Sequence, residues 1–331
     1  MRISTGPEQQ RTGRIHRRRG PLLLCLLLAC MAAVPAPGAE PAARLRTVFV
    51  IVLENAAWHD IKGNPDAPFL NHALLPRASY TEAYRGPRRG RLHPSLPNYI
   101  WLEAGDHLKI LDDGPPAAHH LATANHLVTL LERSGISWRT YQQGIRGDRC
   151  PLADHGDYRP KHNPMIYFDD VTDGNDPRAA RCIRHVRPLR ELTDDLARNT
   201  VARYNFIAPD LCHDMHSRCR PLDNRVKQGD EWLRRWIPRI MKSKAYRSGG
   251  AVFITWDEAW FSVPFCMRSD CPIGMIVLSP LAKGHGYRNK LAYDHSSTLK
   301  TVQEILGVSP LLRAAGAPQT RDLRDLFTSF P

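Results

Sequence analysis

The chain is predicted to be an α/β protein in which helices cover a largely parallel sheet, and three observations predict it. The segment TVFVIVL from Thr47 to Leu53, AVFIT at 251–255 and GMIVL at 274–278 are continuous apolar runs, the pattern of strands buried on both faces rather than one. Helix-length segments alternate with these runs, as crossover connections require. Two of the runs also stop abruptly on polar side chains, Glu54 and Asn55 after the first and Asp257 and Glu258 after the second, and ligands in such sheets bind beyond the carboxyl ends of strands.

After the first strand, residues 67–79 read as a helix, followed by a basic loop at 84–92 that carries Arg85, Arg88, Arg89 and Arg91. The segment HPSLPNY at 93–99 comes next. Two prolines bracketing Ser95 are expected to hold its backbone out of helix and to present its hydroxyl at a fixed angle. A short helix at 99–104, a loop at 107–114, an amphipathic helix at 126–134 and a strand at 136–141 continue the α/β alternation.

From 142 to 186 no periodicity is sustained, and the segment is rich in Gly, Pro, Asp, Arg and Cys. A stretch this long without regular structure is usually functional, so it is read as an insertion over the active face. It holds KHNP, which contains His162, and then YFDD. A helix at 189–198 and a strand at 204–208 lead into PDLCHDMH, where Asp214 and His216 stand. In the helix at 229–243, Trp232, Leu233, Trp236, Ile237 and Ile240 recur at helical spacing and read as core. The strand at 251–255 empties into WDE, an irregular segment with Cys266 and Cys271 follows, and YDHSS precedes a last helix at 298–306.

Residues 1–39 are expected to be an export leader. Arg14, Arg17, Arg18 and Arg19 precede an apolar stretch too short to span a bilayer, and a Pro/Ala-rich exit follows. Arg18-Arg19 also fits a twin-arginine signal, and LLAC ending at Cys30 fits a lipid-attachment motif. The leader holds +5 of the formal charge of +13, which leaves +8 on the rest, suited to an anionic substrate or surface. Six further cysteines permit three disulfides in an oxidising compartment. Proximity favours Cys212 with Cys219 and Cys266 with Cys271, leaving Cys150 for Cys182, although about 15 pairings are formally possible. No Cys-x-x-Cys pair supports a zinc site.

The stretches that end strands or loops hold what metal-assisted phosphoryl transfer needs. Glu54, Asn55, Asp257 and Glu258 are hard-oxygen ligands, Ser95 is a hydroxyl nucleophile, and histidines can face anionic oxygens and the leaving group. Adjacent buried carboxylates such as Asp257 and Glu258 would repel one another without a cation.

The ordered set FVIVLEN, HPSLPNY, KHNPMIYFDD, PDLCHDMH, GDEWL, FITWDE and a late HSS resembles the bacterial and fungal phosphoesterase family of secreted acid phosphatases and phospholipases C. The resemblance runs from about Thr47 to Phe327. It implies an alkaline-phosphatase-like three-layer sandwich with disulfide-stapled insertions, built as one catalytic domain over 44–330. It further implies that Glu54, Asn55, Ser95, Asp257 and Glu258 bind the metal, that Ser95 is the nucleophile, and that His162, His216 and Asp214 line the phosphate pocket. His213 and Ser217 depart from the family pattern, and His295 matches its late histidine.

The expected activity is that of an exported, metal-dependent phosphoric ester hydrolase, periplasmic or secreted, working through a phosphoserine with Ca, Mg, Mn or Zn. The alternatives are a phospholipase C or another phosphodiesterase, and, from a different class, a non-catalytic periplasmic binding protein. The sequence offers no nucleic-acid module, and membrane contact would come only through a lipid anchor or a phospholipid substrate.

Overall fold

The computed structural model describes residues 44–259 and 271–331. The leader at 1–39, with Cys30, and the pairing of Cys271 with Cys266 fall outside these residues.

Eight strands form one sheet in the order β4-β3-β5-β1-β6-β7-β2-β8. Their ranges are β1 Thr47–Leu53, β2 Ser79–Thr81, β3 Trp138–Gln142, β4 Val186–Pro188, β5 Tyr204–Ala208, β6 Gly250–Trp256, β7 Met275–Leu278 and β8 Tyr287–Asn289. The pairings β4-β3, β3-β5, β5-β1, β1-β6 and β2-β8 are parallel, and only β7 runs against its neighbours β6 and β2. The centre is β1, which pairs with β5 from Val48↔Tyr204 and with β6 from Thr47↔Gly250. Every residue of β5, β6 and β7 is buried, and all of β1 after Thr47, so the unbroken apolar runs do report strands covered on both faces.

The helices gather in two groups. Ser95–Ala104 packs with Leu127–Arg133 and His295–Leu306, while Arg225–Lys242 packs with Glu191–Arg198 and the turn at Leu70–Leu74. Trp232, Leu233, Trp236, Ile237 and Ile240 are buried, so the stripe on the long helix is core. No helix among the described residues is long and apolar enough to cross a membrane.

Several elements depart from expectation. Ser95 is not held out of helix: it is the first residue of Ser95–Ala104, with Pro94 as an extended N-cap. Pro97 sits in the first turn, where a missing N–H costs nothing because no carbonyl precedes it to be bonded. The span 67–79 is helical over 68–74, ending in the π-type turn Leu70–Leu74, and its entry is set by the Asp230 carboxylate accepting from the N–H groups of Phe69 and Leu70 at 3.0 and 2.7 Å. His295 opens the last helix rather than preceding it. Asp294 caps that helix, with Ser297 bonding back in a capping box.

The insertion at 142–186 is made of short helical turns, among them Pro160–His162, Pro164–Tyr167 and Ala180–His185. A disulfide joins Cys150 to Cys182 across it, and another joins Cys212 to Cys219, as spacing favoured.

Candidate active site

The register of the central strands builds the site. Leu53 of β1 lies beside Trp256 of β6, so the next residues, Glu54 and Asp257, emerge together at the carboxyl edge of the sheet, and both are fully buried. The Asp257 N–H donates to Leu53 O at 3.0 Å, and the Glu54 N–H donates to Asp214 O at 2.7 Å, which draws in the segment after β5. Asn55 turns the chain away in the left-handed region at φ 49°, where asparagine is tolerated better than most residues. Its backbone N–H donates to Asp257 Oδ1 at 3.0 Å and its side-chain nitrogen to Glu54 Oε2 at 2.9 Å.

Two further side chains, Ser95 and His162, meet at Glu54, and Asp214 and Tyr99 hold His162. Ser95 Oγ donates to Glu54 Oε2 at 3.0 Å. His162 stands with Nε2 at 3.1 Å from Glu54 Oε1 and Nδ1 at 3.4 Å from Asp214 Oδ2. Tyr99, one turn along the helix from Ser95, stacks on the His162 ring with centroids 5.2 Å apart. The sheet edge, the Ser95 helix and the insertion therefore converge on one carboxylate.

Glu258, next to Asp257, uses Oε2 to accept from His93 Nδ1 at 2.6 Å and from Asn98 Nδ2 at 3.2 Å. His216 is half-buried, with its N–H on Asp214 Oδ1 and its Nδ1 at 3.0 Å from Ser217 Oγ. His213 is not brought in: it turns to Asp210 and to Gln143 instead. His295 supports from behind, with Nε2 at 2.8 Å from Asp257 O and Nδ1 at 3.0 Å from Tyr84 OH.

The electrostatics are those of negative charge without enough compensation. Burial pushes the carboxyls of Glu54 and Asp214 well above the usual carboxylate range, and Asp257 and further carboxylates add to it. Asp257 is pushed up to about 7 by burial and then by Glu258. Burial also drives His162 well below the ordinary histidine value, and brings His216 down to about 4 with help from Lys161. Both imidazoles are therefore held neutral. His93 is the exception, because contact with Glu258 outweighs burial and raises it.

Glu54 Oε1, Asp214 Oδ2 and Asp257 Oδ2 are buried and accept no well-aligned hydrogen bond, the first two facing only the His162 ring at 3.1 and 3.4 Å. Three buried carboxylate oxygens lacking well-aligned donors are a costly arrangement that a hard divalent cation relieves, so these oxygens fit such an ion. Among the described residues no three His, Cys, Asp or Glu side chains close into a ready-made cluster. The fit rests on the chemistry of the donors.

Residues missed in the sequence complete the site. Lys161 lies beside His162 in KHNP, and its Nζ donates to Asp113 Oδ2 at 2.7 Å. Its charge bears on Glu54, Asp214 and His162. The motif held the signal for Lys161, as HPSLPNY did for His93 and Asn98; nothing in the loop at 107–114 marked Asp113.

The fold is alkaline-phosphatase-like: a protein of the alkaline phosphatase superfamily from Vibrio parahaemolyticus superposes with TM-score 0.53 at 11% identity, covering 84% of this chain and 71% of that one. The lipoteichoic acid synthase LtaP from Listeria monocytogenes superposes with TM-score 0.55 at 12% identity, over 83% and 76%. In sequence, a probable acid phosphatase of Kluyveromyces lactis is 25% identical over 269 residues, 79% of this chain and 58% of that protein. A phosphate-repressible acid phosphatase of Penicillium chrysogenum is 28% identical over 171 residues, 50% of this chain and 38% of that protein, so the chain spans only part of these fungal relatives. A phosphatidylinositol-3-phosphatase of Mycobacterium tuberculosis is 25% identical over 306 residues, 92% of each. The profile of the Phosphoesterase family matches residues 89–309, a span that takes in Ser95, His162, Asp214 and Asp257, and the chain belongs to that family.

Proposed function

We propose that the chain is a divalent-metal-dependent phosphoric ester hydrolase, phosphatase-like, with Ser95 as nucleophile and residues 44–330 as its catalytic domain. The observation that carries this is the Ser95 hydroxyl, 3.0 Å from Glu54 Oε2, at a sheet edge where buried carboxylate oxygens lack well-aligned donors. When bound by Glu54, Asp257 and their neighbours Asn55 and Glu258, a divalent cation supplies neutralising charge and Lewis acidity.

Glu54 accepts the Ser95 hydrogen bond and so orients Oγ for attack in line with the leaving group. Lys161 faces the phosphoryl oxygens as the cation of the pocket, and the neutral His162 and His216 contribute hydrogen bonds. The Ser95–phosphorus bond forms as the bond to the ester oxygen breaks; Glu54 takes the proton that Ser95 gives up, and a neutral histidine relays a proton from water to the departing oxygen. Water then releases phosphate from Ser95. His162 is kept in plane by the Tyr99 ring and in place by Asp214. We read residues 1–39 as the leader that exports the enzyme.

The test is hydrolysis of p-nitrophenyl phosphate and of bis-p-nitrophenyl phosphate by protein stripped with chelator and then given Ca, Mg, Mn or Zn singly. Turnover restored by at least one ion is expected. Failure of every ion to restore cleavage of either ester would overturn the reading and bring forward a phosphate-binding protein.

A further inference from the structure

The loop at 107–114 places a carboxylate where a phosphate would be expected. Asp113 Oδ1 accepts from the Leu96 N–H at 2.9 Å, and Oδ2 accepts from Lys161 Nζ at 2.7 Å. Leu96 follows Ser95, and its N–H belongs to the first helical turn, whose donors have no carbonyl within the helix. A helix N-terminus next to a lysine is a natural anion seat. Around it, the Lys161 side chain is 16% exposed and that of Asp113 31%, while His162 is buried with Nε2 at 3.1 Å from Glu54 Oε1. In this structure Asp113 thus engages two donors that a phosphoryl group on Ser95 would use.

We propose that Asp113 is a specificity-determining residue whose negative charge makes the site favour phosphate esters carrying a single negative charge, diesters or singly ionised monoesters, over dianionic monoesters. This rests on the reading of Ser95 as the nucleophile of an ester hydrolase. Among the described residues Glu54, Asp214, Asp257 and Glu258 gather their charges here, Lys161 bears on them and Arg159 on the nearby histidines, and Asp113 already engages the charge of Lys161. A dianion meets Asp113 with an extra charge, close enough for Coulomb repulsion to matter. A monoanion offers one ionised oxygen for Lys161 and leaves its neutral ester oxygen for the Asp113 side.

The experiment uses the full chain reconstituted with its activating cation, as wild type, Asp113→Asn and Asp113→Ser. At pH 8, p-nitrophenyl phosphate is dianionic and bis-p-nitrophenyl phosphate monoanionic. Loss of one charge near the phosphate is expected to raise the monoester-to-diester ratio of kcat/KM by about tenfold, chiefly through KM of the monoester. Without turnover, protection against thermal unfolding by inorganic phosphate should set in at correspondingly lower concentration in Asp113→Asn, with protection by dimethyl phosphate little changed. The serine variant gives the same reading if the asparagine variant fails to fold. Equal changes for both esters would make Asp113 merely structural, and an unchanged ratio would remove its role; either overturns the proposal. If the wild type cleaves neither ester with any cation, the hydrolase reading fails, and the comparison of phosphate with dimethyl phosphate still judges Asp113.

Discussion

Ser95 Oγ and Glu54 Oε2 stand 3.0 Å apart, although 41 positions separate the two residues in the chain. The contact makes Ser95 a buried hydroxyl with one strong acceptor. Ser95→Ala is expected to reduce kcat by at least about a thousandfold, as loss of a covalent nucleophile does. The fold should hold, with a melting temperature within a few degrees of wild type. Near-normal kcat in Ser95→Ala would take the nucleophile's role away.

Cation binding should be visible in stability as well as rate. Asp257, pushed up to about 7 from 3.8, favours its proton in the folded chain, so in chelated protein its contribution falls as pH rises between those values. A saturating activating cation should reverse this, adding about 2.7 kcal/mol at a hundred times its Kd. Asp257→Asn should make the chelated protein more stable at pH 7.5 and abolish the gain from the cation. Calorimetry with and without chelator measures both, and a metal response undiminished in the variant would exclude Asp257 as a donor.

A second buried charge cluster ties the Ser95 helix to the insertion. His126 Nδ1 is 2.8 Å from Glu103 Oε1 on that helix, and Nε2 is 2.9 Å from Asp170 Oδ1 in the insertion. Burial opposes the charged ring, but the two carboxylates outweigh it and raise His126 above 6.5. Its stabilisation is therefore complete below about 6.5 and lost as pH rises through the folded value. Asp170, lowered by His126, Thr129 and Arg181 despite burial, contributes in the opposite sense, above 3.8 and lost as pH falls through its own folded value. Glu103, raised by burial above 4.5, works against the cluster as pH climbs. His126→Gln is expected to cost about 3–5 kcal/mol near pH 6, with a smaller deficit at pH 9. A deficit constant across that range would show that the ring acts through packing on Phe168 alone.

The disulfide between Cys150 and Cys182 closes a segment that contains His162, with a sequence separation of 32. Replacing both cysteines by serine should lower stability by about 3–4 kcal/mol. It should also raise KM for p-nitrophenyl phosphate more than it lowers kcat, because it loosens the segment that carries Lys161 and His162 but not the one that carries Ser95. Equal effects on both parameters would place the disulfide's influence on the whole fold.

The sheet edge was legible in the sequence because an apolar run that stops on a carboxylate is a local signal, and Glu54 and Asp257 both gave it. The approach of Ser95 to Glu54 and of His162 to Asp214 needed the ordered motifs, since no periodicity joins them. What the sequence hid depends on contacts with backbone or on turns. Asp113 acts through the Leu96 N–H. Glu258 takes His93 and Asn98 as partners, which its motif did not announce. Arg88 and Arg89, read as a plain basic loop, occupy consecutive left-handed positions, φ 52° and 61°, that no propensity for arginine would forecast.

The place of β1 between β5 and β6 bears on how the chain is made. Asn55 N–H finds its acceptor on Asp257, 202 residues later, and β1 has no partner strand until β5 has been synthesised. While the first half of the chain waits, the Val/Ile-rich β1 leaves both of its edges open to strands of other molecules. Aggregation of nascent or truncated chains is then the hazard of this topology, and an amino-terminal fragment that ends before β6 lacks Asp257 and Glu258 and cannot complete the active site.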